Sequence, residues 1–344
     1  MYSIEVSIIV CIYNAQEYLM DALEKLAAQT FSNFEVIIVD DGSTDGSSQM
    51  IDQYCNEHER FKAVHISHNG LFNARLEGIR KAKGSYIGFC DSDDLPEPNM
   101  LEKMYRIAIE TGADITLCGY VREEMETGRV LSREMLKWER RAYLMAEEAY
   151  ILPVINPAVW NKLIRREILQ SCIRFETPPR ILDDVMFICS LYPFVHSVAF
   201  VPEVLYHFRI HKGSLFSNVF TDDMEILRKD MLLTRQYVSE HAHNPEILMV
   251  CDSIAFIHFG LSLVIRQVQC GEMIASCVRD ARAYLERFFP GYKKTGIGLW
   301  WNLRHHCLLL KPLLARWFFC AHLMQPFLMV YNFVTQKLKI EIKW

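Results

Sequence analysis

Three carboxylates fall within four positions of this sequence. Asp91-Ser92-Asp93-Asp94 directly follows the apolar run Tyr86-Ile87-Gly88-Phe89-Cys90, which reads as a buried strand. Gathering that much like charge at the edge of a core costs several kcal/mol without a counter-ion. Side chains alternate along a strand, so Asp91 and Asp93 are expected on one side. Two hard oxygen donors there suit Mg2+ or Mn2+, ions that commonly hold substrate phosphates as well. An Asp-x-Asp standing alone is more often a solvated acidic turn. Its neighbours in the sequence change that balance.

Two further acidic pairs are candidates. Asp40-Asp41 ends an apolar run and opens into Gly42-Ser43-Thr44-Asp45; a helix cap with a tight turn explains it as well as a ligand site does. Asp183-Asp184 precedes the apolar stretch 185–192. Acids favour the first turn of a helix, and a carboxylate there is also a candidate proton acceptor. Arg209, His211, Lys212 and Ser214 follow the strand-like residues 204–208, and a diphosphate would order such a group through charge-assisted hydrogen bonds. His211 reads as a surface residue or as a further metal ligand.

The elements that must carry these groups alternate in type. Residues 6–13 are a near-continuous β-branched run, a central parallel strand by pattern. Asn14 is placed to cap the next helix, with Glu17 in the capping-box position. Residues 34–39, 62–66 and 115–120 read as strands, and 73–82 and 99–111 as helices. The alternation predicts an α/β fold with a mostly parallel sheet flanked by helices. Such sheets bind ligands beyond the carboxyl ends of their strands, where Tyr13-Asn14, Asp40-Asp41 and Asp91-Ser92-Asp93 all lie. The sequence has neither a G-x-x-x-x-G-K-[ST] loop nor a G-x-G-x-x-G after the first strand, so a bound phosphate would need a metal.

At 344 residues, 51% hydrophobic and 23% charged, the chain can bury a large core in one or two domains. Its net charge of −5 argues against a nucleic-acid partner. The charge is uneven: residues 279–344 hold eleven Lys and Arg against three acidic residues. Eleven cysteines without a C-x-x-C pair read as reduced thiols of a cytoplasmic protein.

In order along the chain, six stretches resemble a family 2 glycosyltransferase of the GT-A fold. They are Ser7–Asn14; Val39–Asp45; Asn69-Gly70 with Ala74-Arg75 and Gly78; Gly84–Asp94; Trp160–Leu163 with Arg165-Arg166-Glu167; and Asp183-Asp184 followed by Tyr206–Leu215. The likeness covers residues 4–216. It implies a GT-A catalytic domain over 1–216 and a C-terminal helical region over 217–344. By this resemblance Ile12, Tyr13, Asn14 and Glu17 line the nucleotide pocket, and Asp40, with Asp41 beside it, binds the uracil edge of a UDP-sugar. Arg75 lies near uracil or diphosphate. Asp91 touches ribose or metal-bound water, Asp93 ligates the metal with Ser92 between them, and His211 completes the shell. Asp184 matches the catalytic base, with Asp183 standing where Glu is usual. Trp160 falls in a turn and short helix under the acceptor site, as core or as acceptor platform. Arg209 and Ser214 contact the donor.

The implied activity is an inverting, Mn2+- or Mg2+-dependent transfer from a UDP-sugar to a saccharide acceptor, a lipid-linked one, in cell-surface polysaccharide synthesis. A nucleotidyltransferase and a membrane-recruited scaffold with a degenerate site are the alternatives. From Trp300 onward aromatic and basic residues mix, as in helices lying in a headgroup layer. Contact with the inner face of the cell membrane ranks first for this tail, a helical bundle or homodimer interface second, and spanning by residues 317–334 third.

Overall fold

The computed structural model describes residues 3–172, 174–175, 182–211, 223–264, 267 and 273–291. The chain divides into two compact units, residues 1–147 with 156–218 and residues 148–155 with 219–344.

In the first unit, β1 (Val6–Ile12) pairs in parallel with β2 (Phe34–Asp40) on one side and β4 (Tyr86–Asp91) on the other, and β3 (Phe61–His65) extends β2. All seven residues of β2 are buried, including Glu35 and Asp40, as suits a central parallel strand. Val6, Ile8, Val10 and Ile12 join the core with Leu19, Leu23 and Leu26 of α1 (Leu19–Ala27). α2 (Ser47–Glu57) follows β2. On the other face α3 (Leu71–Lys81) comes so close to β1 that a Cβ on Gly78 would lie 2.5 Å from Ile9 Cγ2. Only glycine fits there.

The register sets Ile12 opposite Asp40 and Cys11 opposite Asp91. The ends of β1, β2 and β4 therefore share one edge. Beyond β4 the sheet turns mixed. β5 (Leu95–Pro96), α4 (Met100–Thr111), β6 (Ile115–Glu124), β7 (Val130–Glu134), β8 (Ala142–Leu144) and α5 (Met145–Glu148) come next. The turn and short helix expected near Trp160 is instead a strand, β9 (Lys162–Arg165), antiparallel between β4 and β6, with the short α6 (Arg166–Leu169) after it. Two neighbours supply backbone partners on both edges of β9, and that outweighs its poor strand propensity. α7 (Asp183–Leu191) leads to β10 (Ser197–Ile210), which runs parallel to β6 as far as the Ile210–Glu124 pair and is longer than residues 204–208.

In the second unit, α8 (Asp223–His241) and α9 (Pro245–Ala255) are held together by Arg235, whose Nε donates to the buried Asp252 at 2.7 Å. The single helix expected over 245–269 widens into π-helical turns at Phe256–Ser262, the form an extra residue in a helical ladder takes. Ile274–Phe288 is a further helix. No helix among the described residues is long and apolar enough to cross a membrane. The aromatic and basic tail from Trp300 lies outside the described residues.

Candidate active site

β4 ends at Asp91, and Ser92-Asp93-Asp94 form a turn before β5. Asp91, Asp93 and Asp94 each place a carboxylate oxygen within 4.8 Å of the others. The turn creates this proximity. Strand alternation, which predicted Asp91 and Asp93 on one side, stops at Asp91 and leaves Asp94 out. Asp94 is fully buried; its Oδ1 accepts from the Arg209 N–H at 2.8 Å, and its Oδ2 is buried without a hydrogen-bond partner. Burial, with the Asp93 and Asp91 charges, pushes its carboxyl well above the usual range. Burial also pushes Asp91 up to about 8 against the opposing pull of Arg75. Three hard oxygen donors with an orphaned oxygen and too little positive charge fit a divalent cation such as Mg2+ or Mn2+.

β10 closes over this corner. Arg209 Nε donates to the Asp93 carbonyl, and its Nη1 lies 3.3 Å from Asp21 Oδ2. His211 Nε2 lies 3.0 Å from Asp93 Oδ2, and its ring sits 4.8 Å from that of Tyr18. The structure thus brings His211 to the predicted metal residues. Arg209, expected at the donor, is turned inward onto the acidic turn. Ser214 and Lys212 lie outside the described residues.

At the ends of β1 and β2 several expectations change. Tyr13 is 48% exposed and stacks on His68, with ring centroids 4.2 Å apart. Asn14 does not cap α1, which begins at Leu19 and leaves Glu17 exposed before it. Instead Asn14 adopts φ 51°, and its Oδ1 accepts from the backbone N–H of Thr44 at 2.7 Å and of Asp45 at 3.3 Å. The Ile12 side chain belongs to the core. Asp40 is only 2% exposed and accepts from the Ser43 N–H and the Ser48 hydroxyl, with His65 Nδ1 at 3.0 Å. Its carboxylate has protein donors on both oxygens. Burial would raise it, but the hydrogen bonds from Ser43 and Ser48 win and hold it below the usual range. Asp41, also buried, accepts from the Asn69 and Gly70 N–H groups.

The acid pair opens α7. Arg75, on α3 and 3% exposed, donates from Nη1 to Asp183 Oδ2 and approaches Asp184 Oδ1 to 2.6 Å without hydrogen-bond geometry. Arg75 is therefore behind the acids and not on an open nucleotide surface. Burial raises Asp183 to about 6, opposed by Arg75. Lys162 is wholly buried, with Nζ donating to the carbonyls of Asn156 and Ala158 and to Asn161 Oδ1. Burial lowers it to about 7, and the Asp184 charge opposes that fall. Trp160 is 4% exposed, stacked between Tyr206 and Phe208 at 4.7 and 5.4 Å. It is core and offers no platform. Asp94 and Lys162 were given no role from sequence. An acid in tandem with Asp93 and a lysine directly before Leu163-Ile164 were the available signals.

Residues 7–173 match the family described as Glycosyl transferase family 2. Among curated relatives, EpsH and EpsJ of Bacillus subtilis strain 168, both with glycosyltransferase in their names, are 35% and 32% identical over 218 and 222 residues. Each match covers 61% of this chain, and the chain spans 62% of the length of each relative. Among solved structures, S. aureus TarS 1-349 in complex with UDP-GlcNAc superposes with a TM-score of 0.71 at 19% identity, over 93% of this chain and 88% of that one. At that identity the likeness is one of fold.

Proposed function

We propose that this protein, whose residues 7–173 match the family described as Glycosyl transferase family 2, moves a sugar, with inversion, from a UDP-sugar to a saccharide acceptor of cell-surface polysaccharide synthesis. The observation that carries the reading is electrostatic. One guanidinium, Arg75, meets both Asp183 and Asp184, and the charges of Arg75, Asp93, Asp184 and Asp183 all bear on Asp91. This supports the reading that the acid pair and the acidic turn serve one site.

Asp91, Asp93 and Asp94 would hold a divalent cation, with His211 at their edge. Such an ion, when bound, neutralises the charge that develops on a departing diphosphate. Asp184 takes the proton of the acceptor hydroxyl, which is a poor nucleophile until a placed carboxylate does so. Attack by that oxygen on the anomeric carbon, as the bond to the diphosphate oxygen breaks, inverts the centre. Tyr13 offers an exposed aromatic face to the base of the nucleotide. Residues 1–216 are assigned as the catalytic part, and 217–344 as the helical part that meets a lipid-linked acceptor.

A panel of UDP-sugars with Mn2+ and a saccharide acceptor tests this. Wild type releases UDP and forms product, and Asp184→Asn lowers kcat by about 100- to 10,000-fold. Pyrophosphate release from a nucleoside triphosphate would favour the nucleotidyltransferase. Turnover of no nucleotide-sugar would favour the scaffold.

A further inference from the structure

We propose that Arg75 is a positioning residue for the transfer reaction: a buried guanidinium that fixes Asp184 so that one of its carboxylate oxygens faces the acceptor. The proposal rests on the transferase reading and deepens it.

The packing around Arg75 is rigid. Phe72, one turn before it on α3, meets the ring of Phe187 on α7 at 5.8 Å, and Phe187 meets Phe89 of β4 at the same distance. These contacts fix α3, α7 and β4 against one another. Within that frame the guanidinium faces the first turn of α7 and takes both acids. Asp184 Oδ1, beside Arg75, is buried, yet the side chain as a whole is 23% exposed. That leaves Oδ2 as the oxygen that can reach a hydroxyl. Both acids meet the same Nη1; the rigid guanidinium plane sets where that nitrogen sits, whereas an ammonium on a flexible stem is not held at that point. Without that hold, two adjacent carboxylates repel and the reacting oxygen loses its place.

The test compares Arg75→Lys with wild type in the full chain, using a UDP-sugar that wild type consumes and UDP for binding. Expected are a fall in kcat of about 100-fold, the cost typical of a reacting group misplaced by an ångström, and a donor KM and UDP Kd within about threefold of wild type. In an Asp184→Asn background the same substitution should lower the residual rate by less than about threefold, because a residue acting through Asp184 has nothing left to position. Arg75→Gln with Asp183→Asn removes one charge of each sign and should show the same split if Arg75→Lys does not fold.

A raised KM and UDP Kd with kcat unchanged would make Arg75 a donor ligand and overturn the proposal. So would losses that multiply in the double variant, or failure of both variants to fold, which would assign Arg75 to the fold alone. Wild type inert on every nucleotide-sugar would remove the transferase reading and this proposal together. Active wild type with an unimpaired Arg75→Lys would remove this proposal only.

Discussion

Raising the pH from 5 to 7 without divalent cation should destabilise this protein, and Mn2+ should cancel the effect. A carboxyl raised to about 8 in the fold, as Asp91 is, binds its proton more tightly folded than unfolded, where it titrates near 4. Between those values the folded state carries more protons, so stability falls as pH rises. Each group contributes about 1.4 kcal/mol per pH unit, hence on the order of 3 kcal/mol over two units for Asp91. Asp94 and Asp183, also raised by burial, act in the same direction. His65, raised by its hydrogen bonds to Asp40 and Asp52, stabilises at low pH and loses that as the pH climbs through its folded value, again the same sign. Lys162, lowered to about 7, opposes them only above this window. For a unit of roughly 200 residues, 1 kcal/mol shifts Tm by about 2–4 °C, so Tm in chelator should drop by about 5–10 °C. A cation at 100 times its Kd adds about 2.7 kcal/mol and should flatten the curve at pH 7. Asp94→Asn keeps an oxygen for the Arg209 N–H but should reduce both the slope and the Mn2+ shift. Differential scanning fluorimetry reads all four conditions. A Tm that is flat or rising from pH 5 to 7 in chelator, and indifferent to Mn2+, would refute the argument that these acids share one buried site.

Three other outcomes are expected. Gly78→Ala should cost about 1–3 kcal/mol by overpacking against Ile9 Cγ2, read by denaturant unfolding. Asn14→Ala removes the acceptor that ties Thr44 and Asp45 to the end of β1 and places a Cβ residue without that bond at φ 51°. The lost hydrogen bonds should cost about 1 kcal/mol of stability, a fall in Tm of about 2–4 °C by scanning fluorimetry, and UDP binding by calorimetry should weaken. The full chain should sediment with anionic liposomes, and a chain ending near Gly298 should not; equal sedimentation of both would end the membrane reading.

What was legible in this chain follows from how local each signal is. The strand runs leading to Tyr13, Asp40 and Asp91 are continuous and buried, so their pattern alone places three carboxyl ends on one edge. Side-chain direction at those ends depends on partners far away in sequence. Asp40 reads as a ligand-facing acid, yet His65 and Ser48 turn it inward. Arg75 reads as a nucleotide contact, yet its partners are 108 positions on. β9 was invisible because a four-residue strand carrying Lys162 is stabilised by both edges and by three carbonyl acceptors rather than by its own composition. In each case a charged group lies in the interior. Burying so many charges is tolerable only if they neutralise one another, and Arg75, Asp183 and Asp184 do so in part. Asp91, Asp93 and Asp94 do not. The charge they lack is the physical ground for placing the cation at that turn and not at Asp40–Asp41, where protein donors already satisfy the carboxylates.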